Sequence, residues 1–127
     1  MNNSLEQGRM FLDMAHKDFK ALHVMMDPNT VDDEIFGFHV QQAVEKAIKA
    51  WLIKLGIIFP KTHDLVLLVD LLTTQGIEFS QWQSLTEFVD FSVQYRYDTL
   101  DIIEPIDRAT SVLLVESLLK RVAEAFK

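Results

Sequence analysis

The sequence contains no cysteine and few glycines, and each absence removes a class of function. Without cysteine among its 127 residues, the chain cannot form a disulfide, a thiolate zinc site or a cysteine nucleophile. Its four glycines are scattered singly, so a glycine-rich phosphate loop of the P-loop or dinucleotide-binding kind is absent. The lack of cysteine is compatible with a reducing compartment, and we expect a cytoplasmic protein.

Long apolar runs are also missing. No run approaches the roughly 20 apolar residues that cross a bilayer, and the first residues, MNNSLEQGRM, lack the apolar core of a signal peptide. We therefore expect neither membrane insertion nor export. The length suits a single domain over residues 1–127, which is long enough to bury a sizeable core.

Positive charge is scarce, since 12 basic residues face 19 acidic ones and the net charge is -7. Binding along a phosphate backbone relies on Lys and Arg displacing counterions, so extended nucleic-acid binding is not expected. A local positive patch remains open at four lysines of one region: Lys46, Lys49, Lys54 and Lys61. The competing interpretation is a solvated helix face, because Glu45 precedes Lys49 by four residues and the two can form an ion pair.

What the sequence does have is apolar residues at three- and four-residue steps along most of its length. This periodicity predicts an all-α, up-and-down helical bundle of about five helices. The predicted helices cover residues 4–26, 30–55, 62–72, 80–98 and 105–127.

Capping residues set the predicted ends of these helices. Thr30 is expected to cap the second helix, and Gly56 to end it, because glycine most readily takes the left-handed backbone of a helix C-terminus. Ser80 and Gln83 have the spacing of a capping box at the start of the fourth helix. Pro105 suits the first turn of the fifth helix.

The third predicted helix is apolar on almost every side between Leu65 and Leu72. A β-strand is the rival prediction for so many branched residues, but Thr62 as a cap and Asp64 in the first turn favour the helix. Such a helix should be buried among other helices or against a second subunit, so we expect a homodimer. The same expectation comes from aromatic residues on otherwise amphipathic faces: Trp51, Trp82 and Phe126.

The candidate catalytic side chains do not assemble a known constellation. None of the four histidines forms a His-x-x-x-His or Glu-x-x-His pair, so neither a metal site nor a cofactor is expected. His16 and His23 are interpreted as surface residues. No serine lies in a Gly-x-Ser-x-Gly elbow. The acidic run 32–34 suits a helix N-terminus, where the helix dipole favours negative charge.

The triplet Tyr95-Arg96-Tyr97 near the end of the fourth predicted helix can bind a nucleotide. A guanidinium can hold a phosphate while a neighbouring ring stacks on a base. The alternative is that Arg96 pairs with a nearby carboxylate and the tyrosines pack at the edge of the bundle. The carboxylates in reach are Asp90, Asp98 and Asp101.

Two segments carry a family resemblance: Phe38–Ala47, which reads FHVQQAVEKA, and Thr62–Leu65, which reads THDL. They resemble the HEPN family of small helical domains, in particular the subgroup associated with minimal nucleotidyltransferases. The resemblance implies a symmetric dimer, a minimal nucleotidyltransferase as partner, and nucleotide binding.

Physical chemistry and resemblance together predict a nucleotide site between the second helix and the end of the fourth. Its expected residues are His39, Gln42, Lys46, His63, Tyr95 and Arg96. For two of them a structural role is the alternative, because His39 can be a helix-surface residue and His63 can help to cap the third helix.

Many members of the family are metal-independent ribonucleases, which carry an arginine followed after four to six residues by a histidine. Arg96 matches the arginine, but Asp101, Ile102 and Ile103 occupy the matching distances. No catalytic residue is therefore assigned. The expected function is a nucleotide-binding or nucleotidyltransferase-associated module of a two-component, toxin–antitoxin-like system. The alternatives are a ribonuclease toxin with a non-standard active site and a protein that serves assembly alone.

Overall fold

Helices account for the regular secondary structure in residues 2–87 and 105–127, the parts of the chain that the computed structural model describes. A 3₁₀ helix, Ser80–Glu87, follows the first three α-helices. The predicted all-α fold is confirmed, and the rival strand at Leu65–Leu72 is excluded. The α-helices are α1 (Asn2–Val24), α2 (Asp33–Lys54), α3 (Leu65–Thr74) and α4 (Arg108–Ala125). None of these helices is both long and apolar enough to cross a membrane.

α1 and α2 form an antiparallel pair at the centre of the bundle. Gly8 near the start of α1 faces Ile53 near the end of α2, and Asp18 in the second half of α1 contacts His39 in the first half of α2. α4 packs against both helices. It runs in the same direction as α2, because its first residue bonds to the start of α2 and Phe126, just beyond its end, touches Gly8.

The core is built around α2, which buries residues on more than one face. Trp51 and Trp82 meet edge to face inside it, with ring centroids 6.0 Å apart. α3 buries one face against this core and leaves Val66 exposed. The prediction that α3 is buried therefore holds for one face, and both tryptophans lie in the core of this chain. The buried face of α3 consists of Leu65, Leu68, Val69 and Leu72.

The predicted caps of α2 and α3 were wrong by two residues. Asp32 is the N-cap of α2, whereas the Thr30 hydroxyl donates to the Asp27 carboxylate in the preceding turn. At α3 the cap is Asp64, whose carboxylate accepts from a backbone N–H in the first turn. Thr62 instead accepts a hydrogen bond from the backbone N–H of Asp64. In both places aspartate takes the cap and threonine orders the turn before it.

The predicted fourth helix begins as a 3₁₀ helix over Ser80–Glu87, and the expected capping box does not form there. Gln83 donates to the hydroxyl of Thr86, and the backbone N–H of Ser80 donates to the side chain of Glu78. Trp82 and Leu85 are buried, as their spacing predicts. The remainder of that predicted helix lies outside the described residues. The predicted fifth helix corresponds to α4, which begins at Arg108 with Asp107 as its cap rather than near Pro105.

Two glycines have clear structural reasons. Gly56 has φ of 75°, so the predicted left-handed end of α2 is confirmed. At Gly8 a Cβ would lie 3.0 Å from Cζ of Phe126 and 3.1 Å from Cγ2 of Ile53. A residue larger than glycine would therefore require Phe126 and Ile53 to shift by a few tenths of an ångström.

A buried arginine holds the loop between α1 and α2 against the start of α4. The guanidinium of Arg108 donates to the carbonyl oxygens of Met25 and Val31, and it pairs with Asp33 at 2.7 Å. It also stacks over the ring of Phe36, 4.9 Å from the centroid. Asp33 thus serves a tertiary ion pair in addition to its place at the positive end of the α2 dipole.

Candidate functional site

Asp18 brings together two of the predicted site residues, His39 and Lys46. Its Oδ1 lies 3.1 Å from Nδ1 of His39, and its Oδ2 accepts from Nζ of Lys46 at 2.7 Å. We call these three residues the Asp18 cluster. The side chains of Asp18 and Lys46 are only 13% and 19% exposed, so their attraction is screened less than it would be at the surface. His39 is half-buried in this contact rather than a free surface residue.

A second group, the Glu45 cluster, joins Glu45, Lys49 and His63. Nζ of Lys49 lies 3.1 Å from Oε2 of Glu45, and Nδ1 of His63 lies 2.9 Å from the same oxygen. The ion pair expected between Glu45 and Lys49 is confirmed. Its expected place on a solvated face was wrong, because the side chain of Glu45 is only 4% exposed. Lys49 is buried as well, and the ring of Phe11 from α1 lies 5.9 Å from its Nζ.

The two carboxylates fix which nitrogen of each histidine is left for another partner. An ionised carboxylate can only accept, so Nδ1 carries the hydrogen in both rings and Nε2 stays available. The side chain of His63 is 80% exposed although its partner Glu45 is buried. His63 therefore presents an oriented ring that a ligand can reach, and it does not serve as the cap of α3, a role taken by Asp64.

The remaining predicted residues are placed less fully. Gln42 is half-buried and lies on α2 one turn from both His39 and Lys46. Tyr95 and Arg96 fall in residues 88–104, outside the described part of the chain. The groove predicted between the second helix and the end of the fourth is therefore described on its α2 side alone.

The charges of both clusters balance within the chain. The charge of Asp18 offsets that of Lys46, and the charge of Glu45 offsets that of Lys49. A cluster therefore has a net positive charge that can attract an anionic ligand when its histidine is protonated. No group of three His, Asp or Glu side chains suited to a metal ion occurs among the described residues.

A cleft of about 580 Å³ opens beside the Glu45 cluster. It lies between the first turns of α1, the end of α2 and the connector that leads to α3. Lys49 and His63 belong to its lining, whereas His39, Gln42 and Lys46 do not. The lining is mainly apolar, with polar side chains at intervals. It comprises Ser4, Gln7, Phe11, Lys49, Ile53, Gly56, Ile57, Ile58, Phe59, Pro60, Lys61, Thr62 and His63.

Sequence reasoning missed Asp18 and the cleft. A signal for Asp18 was present, because it stands three residues after Ala15 and four before Leu22, both of which are buried. A carboxylate at that position on the inner stripe of α1 needs a partner from another element. No local signal indicates the cleft, because its walls come from separate parts of the sequence.

Comparison with known proteins identifies the family of this chain. A family model for the HEPN domain matches residues 8–125. The chain belongs to the HEPN family. The matched range contains the residues of both carboxylate clusters and all of the cleft lining except Ser4 and Gln7.

One relative of this HEPN chain is a protein of Methanocaldococcus jannaschii named "Putative toxin MJ1304". The two are 38% identical over 56 residues, which make up 44% of this chain and 36% of that protein. The match thus spans about a third of the relative. No solved structure matches the HEPN chain significantly.

Proposed function

We propose that this HEPN domain is the nucleotide-binding component of a two-component, toxin–antitoxin-like system, with a minimal nucleotidyltransferase as its partner. The observation that carries the proposal is the polar face of α2, where Asp18 and Glu45 each hold one imidazole and one ammonium group in place. Prepositioned ammonium groups, joined by imidazolium groups when the histidines are protonated, suit recognition of a phosphate-bearing ligand. The relative named as a toxin supports the two-component setting.

Nucleotide binding would use the donors of the Asp18 cluster, with Gln42 beside them. Lys46 already has a carboxylate partner, so a phosphate must share that cation and derives further attraction from His39 when its ring is protonated. Tyr95 and Arg96, outside the described residues, would add an aromatic ring and a guanidinium. His63 would contact the ligand from the side of the Glu45 cluster.

The domain would act in the cytoplasm as a homodimer. Exposed apolar side chains on two helices support the dimer, because such groups are candidates for burial in an interface. On α1 they include Met10 and Met14, one turn apart, and on α2 they include Ile35 and Phe38. Light scattering at tens of micromolar tests this part, and a monomer at that concentration contradicts it.

Calorimetric titration with ATP, other nucleoside triphosphates and short oligonucleotides tests nucleotide binding. Lys46→Ala and Arg96→Ala should each weaken binding by about 1.5–3 kcal/mol, roughly ten- to a hundredfold, through loss of a charge-assisted hydrogen bond. Lys120→Ala is the matched control, because Lys120 is exposed on α4 and its ion pair with Glu116 is a surface pair. Absence of heat at millimolar ligand, with and without a cognate nucleotidyltransferase, would favour a protein that serves assembly alone.

Ribonuclease activity is the second candidate, and the observation that favours it is the exposed ring of His63 on a buried carboxylate. A carboxylate-oriented imidazole is a group that can transfer protons in catalysis. Arg96 has no histidine at the usual family spacing, so we expect no robust cleavage of RNA. If the purified protein cleaves RNA without metal, and both Arg96→Ala and His63→Ala abolish this cleavage, ribonuclease activity becomes the first candidate function and nucleotide binding the second.

A further inference from the structure

The cleft beside the Glu45 cluster has the size of a small-molecule site. Its volume of about 580 Å³ falls within the roughly 300–1,000 Å³ typical of ligand pockets. Its place next to Lys49 and His63 sets it apart from the Asp18 cluster, none of whose residues belongs to its lining. The cleft is thus a candidate site in its own right.

The walls of the cleft favour a flat, apolar ligand body. Two phenylalanine rings line it, Phe11 from α1 and Phe59 from the connector. Both rings are part of the layer that packs against the core, so they form fixed surfaces on which a planar group can stack. Ser4, Gln7 and Thr62 add polar groups that can orient such a body.

The charges of the cleft favour a single anionic group. Lys49 and Lys61 are its lysine side chains, and His63 is its one histidine. Glu45 neutralises Lys49 at 3.1 Å, which leaves Lys61 and the protonated form of His63 to attract a ligand. Two such groups match one phosphate monoester or carboxylate better than a triphosphate, whose larger charge would stay uncompensated in this acidic protein.

We propose that the cleft binds a small organic anion with a planar body and one anionic group, the chemistry shared by nucleoside monophosphates and aromatic carboxylates. The planar body lies against Phe11 and Phe59, and the anionic group meets Lys61 and, in the protonated ring, Nε2–H of His63. The site does not depend on nucleotide binding at the Asp18 cluster.

Calorimetric titration of the full chain with AMP, 2-naphthoate, adenosine and inorganic phosphate tests the proposal. AMP or 2-naphthoate should bind at least tenfold more tightly than adenosine or phosphate alone. Adenosine has the planar body without the anionic group, and phosphate has the anionic group without the planar body. A preference for AMP identifies a nucleotide ligand, whereas a preference for 2-naphthoate identifies a carboxylate. Absence of binding by both at millimolar concentration overturns the proposal.

Variants locate the bound anion. Lys61→Ala should weaken binding about tenfold through loss of one charge-assisted contact. Gln7→Trp should abolish binding, because the indole ring fills the cleft. Gln7 is exposed, so this change does not disturb the hydrophobic core. Lys54→Ala, an exposed lysine outside the cleft lining, is the matched control and should leave the affinity unchanged.

The same variants separate this site from the proposed nucleotide site. If Lys46→Ala weakens anion binding while Lys61→Ala and Gln7→Trp leave it unchanged, the anion binds on the polar face of α2. That result overturns the proposal that the cleft is the binding site, and it leaves the proposed function unaffected. The opposite pattern supports the cleft and counts against the Asp18 cluster as the nucleotide site.

Discussion

The Asp18 and Glu45 clusters contain the same three kinds of group, one carboxylate, one histidine and one lysine, yet they are built differently. In the Asp18 cluster the acid comes from α1 and both of its partners from α2, and all three side chains are partly buried. In the Glu45 cluster the acid and the lysine share α2 in a buried ion pair, and the histidine is the one exposed member. The Asp18 cluster therefore connects two helices, whereas the Glu45 cluster orients an exposed histidine ring on a buried ion pair.

The largest effect is expected from Lys49→Met. The change leaves the buried carboxylate of Glu45 with His63 as its remaining partner, and breaking a buried pair from one side costs about 3 kcal/mol or more of unfolding free energy. Chemical denaturation measures this loss. As a control, Glu45→Gln combined with Lys49→Met should recover much of the stability, since no unpaired charge stays buried. A double variant as unstable as Lys49→Met would show that burial of the ion pair is not the cause.

A smaller loss is expected from Lys46→Met in the Asp18 cluster. Asp18 keeps His39 and has more access to water than Glu45, so we expect a cost of about 1.5 kcal/mol. Lys20→Met, at an exposed position of α1, is the control for loss of a lysine and should be nearly neutral. If Lys46→Met and Lys49→Met lower the unfolding free energy by the same amount, the deeper burial of Glu45 does not make its ion pair more important for stability than that of Asp18.

The two histidines should separate stability from ligand binding. His63→Ala removes an exposed ring and should change the unfolding free energy by less than about 0.5 kcal/mol, while His39→Ala removes a half-buried contact and should cost about 1 kcal/mol. Thermal unfolding compares the two variants. Titration with AMP should then show the larger defect in His63→Ala. A stability loss in His63→Ala that exceeds the loss in His39→Ala contradicts the assignment of His63 to ligand contact.

Asp107 extends the comparison to a fully exposed carboxylate, for which the smallest effect is expected. Hydrogen bonds from the backbone N–H and then the hydroxyl of Thr110 hold the pKa of Asp107 below its usual value. A lowered folded pKa adds stability above the unfolded pKa of about 3.9, and this stability is lost as the pH falls through the lower folded value. Wild type and Asp107→Asn should therefore differ in Tm at pH 6, and the difference should shrink as the pH is lowered through the folded pKa of Asp107. A Tm difference that is constant over this range excludes titration of Asp107 as its source.

The sequence predicted the helices well and their ends less well. Periodicity identifies α1, α2 and α3 because burial on one side of a helix imposes a three- to four-residue repeat on the sequence. Several capping residues stand within a few positions of each other before α2 and α3, as with Thr62 and Asp64. The choice between them depends on the path of the preceding turn, which local sequence does not determine.

The candidate site was predictable only in part, because local sequence identifies polar residues on one element but not their partners on another. His39, Lys46 and His63 stand out as polar side chains at helical spacing or in a turn, so sequence alone could nominate them. Asp18 contacts residues 21 and 28 positions away, and helical periodicity carries no information on which carboxylate of another helix faces them. The burial of the Glu45–Lys49 pair was missed because its surroundings come from other segments, such as Phe11 of α1, whose ring lies 5.9 Å from Nζ of Lys49.

The close contact at Gly8 gives the molecule an internal reporter. The ring of Phe126 rests against the backbone of α1 within one turn of Ser4 and Gln7, two residues of the cleft wall. Because the ring lies so close to α1 that a Cβ at Gly8 would be 3.0 Å from it, any displacement of these first turns by a bound molecule changes the surroundings of the ring. A fluorine placed on Phe126 would register cleft occupancy by its chemical shift, although the label itself lies outside the cleft.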